Sequence, residues 1–216
     1  MIVPASPEEF EISLEQPGEC RLSFPLAMIY PLKLETALFV VSLLLIVSHA
    51  FALARPEKAK NWLRAFPRSS KYGALLLLVA AVWFFILVSV MDLGEFSNWR
   101  KTVLIATPIA AYLTWKYVEE FLAVRALGML VILGAEPILE AAFLRPEIAH
   151  PILNALVYVY IVLAMFWVGM PYILRDQIAW VSKSEQRWRI ASFGGIAYGA
   201  VLMALLVAMM ASHHGN

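Results

Sequence analysis

Four uninterrupted apolar runs restrict this chain to one kind of environment. Thr36–Ala54, Tyr72–Met91, Pro151–Leu174 and Ile190–Ser212 carry no formally charged side chain, and His49 is their one group that titrates near neutral pH. Each is close to or above the roughly 20 apolar residues that a helix needs to cross a hydrocarbon core. Composition agrees: 62% of residues are hydrophobic and 15% charged, against about 45–50% and about 25% in soluble domains. The sequence therefore predicts an all-α integral membrane protein.

The stretch from Thr102 to Leu144 is interrupted by charge. Thr102–Trp115 is short, but it extends to residue 118 if Lys116 snorkels its ammonium to the interface. Residues 121–144 are long enough but include Arg125, Glu136 and Glu140. This segment either crosses, giving six spans, or lies along the surface, giving five. Short cytoplasmic loops are enriched in Lys and Arg. Six spans put Arg55, Lys58, Lys60, Arg64, Arg68, Lys71, Lys116, Arg125, Arg175, Lys183, Arg187 and Arg189 on one side, with only Arg21, Lys33, Arg100, Lys101 and Arg145 opposite. Five spans would divide them almost evenly. The expected fold is a compact bundle of six transmembrane helices, arranged as three out-in-out hairpins with both termini extracytoplasmic. The spans cover about 36–54, 72–91, 102–118, 121–144, 151–174 and 190–212. Residues 1–35 form an extracytoplasmic N-terminal segment and 213–216 a C-terminal tail.

Residues 1–27 lack a basic region followed by an apolar core, so no cleavable signal peptide is expected. Phe10, Ile12 and Leu14 alternate before a Pro17-Gly18 turn, and Cys20, Leu22 and Phe24 alternate after it, the pattern of a small β-hairpin. A disordered tail, or a start at Met28, are the alternatives.

Between the first two spans, Ala59, Trp62, Leu63 and Phe66 fall at helical spacing, with Pro56 positioned to start the helix and Pro67 to stop it. This predicts a short helix on the inner leaflet, with Lys58, Lys60, Arg64, Arg68 and Lys71 contacting anionic lipid. In the last span, Gly195-x-x-x-Gly199 with Ala191 one turn earlier predicts a close-packing face, serving contacts within the chain or with another subunit.

Candidate chemistry centres on "GAEPILEAAF", residues 134–143. Arg125, Glu136 and Glu140 share a helical face, but Arg125 and Glu136 stand about 16 Å apart along it, too far to pair. An intramembrane carboxylate is expensive and marks a functional hypothesis. Pro137 favours a break, so that Glu136 could cap a new half-helix, as in ion-binding broken helices. The alternative is a tilted, kinked helix with Glu136 near the interface.

The run "EEFLAVR", Glu119–Arg125, resembles the glutamate-pair motif of the CAAX-type intramembrane proteases, and "HPILN", His150–Asn154, is similar to that family's final motif. The resemblance covers about a dozen residues and implies a membrane protease. It departs in having four residues between Glu120 and Arg125 rather than three, and in lacking a Phe-x-x-x-His motif between the two matches.

Other classes find less support. His49 and His150 fall near opposite faces of the membrane, which disfavours bis-histidine haem, and His213 and His214 lie at the exposed C-terminus. No phosphate loop, nucleophile elbow or zinc-protease motif is present. Cys20 is the only cysteine, and 17 Lys+Arg against 16 Asp+Glu leaves no basic excess for nucleic acid. No cofactor and no metal are expected. The expected partners are the lipid bilayer and either another membrane protein or further copies of the chain, in a bacterial inner membrane. The leading expectation is a non-catalytic packing subunit of a larger membrane complex. The alternative is a small ion- or proton-coupled carrier using Glu136, with the protease-like enzyme third.

Overall fold

A computed structural model of the protein describes residues 32–91, 93–118, 120–143 and 149–214. The hairpin expected within residues 1–27 lies outside them. All regular structure among the described residues is helical: α1 Leu34–Ala54, α2 Pro56–Ala65, α3 Ser70–Val90, α4 Arg100–Tyr117, α5 Leu122–Ala142, α6 Ala149–Gly169, α7 Tyr172–Ser182 and α8 Glu185–His214. Short 3₁₀ turns at Phe66–Arg68 and Gly94–Trp99 precede α3 and α4.

Local chemistry sets several of these boundaries. Pro56 opens α2 at a position where its missing N–H costs nothing. The Ser69 hydroxyl accepts from the Tyr72 amide at 3.4 Å and caps α3. Phe121 adopts a left-handed conformation, φ 56°, which turns the chain sharply from α4 into α5.

Five helices, α1, α3, α5, α6 and α8, are long and apolar enough to cross a membrane. The fold is that of a polytopic membrane protein. Helix α4 is also 18 residues long, about 27 Å, but it carries Arg100, Lys101 and Lys116 near its ends. It packs beside α3, and Ala74, Ala81 and Phe85 of α3 line a groove together with Thr107, Ala111 and Trp115 of α4.

The apolar run 151–174 does not form one helix. Helix α6 stops at Gly169, and α7 starts at Tyr172 as a separate amphipathic helix. Pro171 supplies the reason: it has no N–H to continue the ladder and disfavours helical geometry at Met170. The last helix, in turn, begins at Glu185 rather than 190.

Helices are stacked in the order α4, α3, α5, α6, with the α1–α8 pair closing against α5 and α6. The main core joins Leu38 and Leu45 of α1, Ala135 and Ala142 of α5, Leu153 and Val157 of α6, and Leu202 and Leu206 of α8. Because lipid is as apolar as these side chains, close approach rather than the hydrophobic effect holds such helices together. Glycines permit it, Gly195 beside His49 among them. A Cβ at Gly199 would lie 2.8 Å from Ile46 on α1, one at Gly128 2.9 Å from the Ala164 carbonyl on α6, and one at Gly73 2.9 Å from the Ala123 amide on α5. Across α6 and α8, the Tyr198 hydroxyl donates to the Ile152 carbonyl at 2.7 Å.

Candidate functional site

Helix α5 runs without interruption through Pro137. Of the two readings of Pro137, the break into half-helices is absent, and Glu136 caps nothing. Proline removes one ladder bond, but Ala135, Ala141 and Ala142 remain buried on either side of it and hold the helix in place. With α5 continuous, Arg125, Met129, Ile132, Glu136 and Glu140 form one stripe.

The stripe has a polar end on each side of an apolar middle. Met129, Ile132 and Leu133 line a groove of about 560 Å³ between α3, α4 and α5, bounded across from them by Val103, Ala106 and Ala110. Glu136 and Glu140 continue the same face beyond the groove, one turn apart and half-buried. Neither has a hydrogen bond or counter-ion among the described residues. Two carboxylates at this spacing repel when both are ionised. Arg125, at the other end, is half-buried, and its Nε is enclosed without a hydrogen-bond partner among the described residues. The three charges thus share a face without neutralising one another.

His49 has a structural setting. Its Nδ1 lies 2.8 Å from the Leu45 carbonyl, which can only accept, so Nδ1 carries the proton. The ring rests on Gly195, where any Cβ would overlap it. Gly195 and Gly199 therefore form the α8 side of the contact with α1, and this face is filled within the chain. Ala191, one turn earlier, is exposed.

At the end of the molecule that holds both basic connections, α2 is fastened to the α7–α8 turn. The Lys60 ammonium bonds the Glu185 carboxylate and sits 5.5 Å from the centre of the Trp188 ring. Arg64 Nε donates to Ser182 Oγ at 3.1 Å and its Nη2 to the Ser182 carbonyl at 3.2 Å. Trp188 Nε1 donates to the Ala52 carbonyl at 3.0 Å, tying α8 to the end of α1. Lys60 is only 4% exposed, so of the five basic residues expected against lipid it is the one turned into the protein. Lys58, Arg68 and Lys71 are exposed. Glu185→Gln should leave the buried ammonium with only the longer contact to the Glu57 carboxylate, at 3.6 Å. Hydrogen exchange across residues 57–65 should then quicken relative to α8, whose own ladder is untouched.

The protease-like residues do not converge. Glu120 precedes the first turn of α5, whereas His150 follows the far end of that helix, about 30 Å away along its axis. His49 and His150 likewise occupy opposite ends of the bundle. No cluster of three or more His, Cys, Asp or Glu side chains is gathered among the described residues.

Sequence reasoning missed the Lys60–Glu185 contact, which joins residues 125 positions apart, and it missed α7. The acidic charge at the head of the last helix and Pro171 were the available signals.

No family model matches this chain, and neither a curated protein nor a solved structure was found to match it. Function has to be read from the site itself.

Proposed function

We propose that this chain is a non-catalytic packing subunit of a larger membrane complex, and that a helix of its partner lies in the groove beside α4. The reading is carried by the α5 stripe: two half-buried carboxylates without a counter-ion among the described residues, directly in line with an apolar groove. A partner helix would cover Met129, Ile132 and Leu133 and bring a Lys or Arg to Glu136 and Glu140. Pairing is how an intramembrane charge is normally accommodated.

Helix α4 supports the same reading. None of its residues is buried, although Arg100, Lys101, Thr107 and Lys116 make it less apolar than its neighbours. A helix of this composition gains from a protein neighbour more than from lipid. In this reading all six long helices cross the bacterial inner membrane, with the basic connections and α2 on the cytoplasmic side.

A carrier is the second reading, favoured by the position of Glu136 four residues past the midpoint of α5, about 6 Å along its axis. A carboxylate at that depth could bind and release a proton or small cation. The two readings separate in reconstituted vesicles. A carrier loses flux on Glu136→Gln even as the isolated chain, whereas a packing subunit shows no flux to lose. Photo-crosslinkers at Ala106 and Ala110 should trap one second polypeptide in the native membrane, and a crosslinker at the lipid-facing Leu75 should not. Equal trapping at all three positions would sink the groove as the docking site.

A further inference from the structure

Beneath α2 lies a half-open cavity of about 500 Å³, bounded by the last turns of α1 and by α2, α7 and α8, with Phe51 and Trp62 still exposed at its edge. Its walls are apolar and aromatic: Phe51, Trp62, Leu63, Val181 and Trp188, with His49 and Ser192 at the side nearer the bundle. It lies at the end where interfacial tryptophans and both basic connections meet.

The charges around this end differ in whether the protein already uses them. Lys60 is bound to Glu185, Arg64 to Ser182, and Arg187 to the carbonyl and the ring of Trp180, the latter at 4.5 Å. Arg55 is exposed, and its guanidinium, like the ammonium groups of Lys58 and Lys183, has no partner among the described residues. It occupies the junction of α1 and α2, three residues after Ala52 and four before Ala59, and both alanines line the cavity. An apolar chamber beside a helix junction that carries an uncommitted arginine is complementary to an amphiphile with an anionic head.

We propose that the cavity is a binding site for one anionic phospholipid of the inner leaflet. An acyl chain fills the space against Trp62 and Trp188, and the phosphate pairs with Arg55. Two features set this apart from general attraction of a basic surface to anionic lipid. The acyl chain has a defined apolar groove to lie in, and the headgroup contact is assigned to Arg55 at the α1–α2 junction rather than to the cluster. The lipid would also close the gap between α2 and the bundle, adding to the Lys60 and Arg64 contacts that hold α2 in place.

The test is native mass spectrometry of the purified chain equilibrated with equal amounts of phosphatidylglycerol and phosphatidylcholine. The wild-type chain should retain one phosphatidylglycerol, favoured about tenfold over phosphatidylcholine, the ratio that one charge-assisted contact supports. Arg55→Gln should bring the two lipids to near-equal retention. Lys71→Gln, on a helix that does not line the cavity, should leave the preference intact. Ala191→Phe, which pushes a ring into the cavity from an exposed position on α8, should abolish retention of either lipid. No preference in the wild-type chain, or an unchanged preference in Arg55→Gln, would overturn the site. So would full retention by a folded Ala191→Phe chain. If Ala191→Phe does not fold, the Arg55→Gln comparison decides alone.

Discussion

Gly195→Leu separates α1 from α8 and lowers the melting temperature of the detergent-solubilised chain by about 10 °C, the shift expected for roughly 3 kcal/mol in a chain of this length. The reason is the seat of His49. A side chain at position 195 occupies the space of the imidazole ring, and the ring cannot swing aside without breaking its 2.8 Å bond to the Leu45 carbonyl. Gly199 offers no relief, since a Cβ there already meets Ile46 and the Ser42 carbonyl. The adjacent Gly194 is the control. No atom lies within 4 Å of a Cβ built on it, so Gly194→Leu should shift melting by less than about 2 °C. Equal effects at 194 and 195 would mean that helix propensity, and not the α1–α8 contact, governs the response.

The second large effect concerns Glu136 and Glu140. Replacing both with glutamine should leave the isolated chain at least as stable as before, because it removes the repulsion between two carboxylates one turn apart. In the native membrane the same pair of changes should reduce recovery of the partner about tenfold or more, since a basic residue of the partner loses both counter-charges where water is scarce. Co-purification and thermal melting, measured on the same preparations, give the two readouts. A large drop in melting temperature would instead make the pair an internal structural element. Unchanged recovery would remove it from the interface.

Much of the fold was legible because a bilayer imposes a length rule that sequence displays directly. The runs ending at Ala54 and Met91 became α1 and α3 with little change. The run through Pro171 misled, since hydropathy stays high across a residue that stops a helix, and continuity of apolar character is not continuity of the backbone ladder. Pro137 left a broken and a continuous helix equally open, and the helix is continuous. Its neighbours pack well enough that a single lost hydrogen bond does not break α5.

The site divided in the same way. Gly195 and Gly199 were readable as a packing face from their spacing, but the partner was not, because one small-residue stripe has the same sequence whether it meets α1 or another subunit. Gly128 and Gly73 act alone in their helices and leave no repeat to recognise. Lys60 sits in a basic cluster that reads as lipid-facing. Only the fold reveals that Glu185 lies beside it.

The assembly reading is tested most directly by native mass spectrometry of the protein extracted in mild detergent from its own cells. A packing subunit should carry a stoichiometric second polypeptide that is lost when Glu136 and Glu140 are both glutamine. A monomer or homo-oligomer carrying only lipid would contradict that assignment, and proton or cation flux through Glu136 would then be the function to measure.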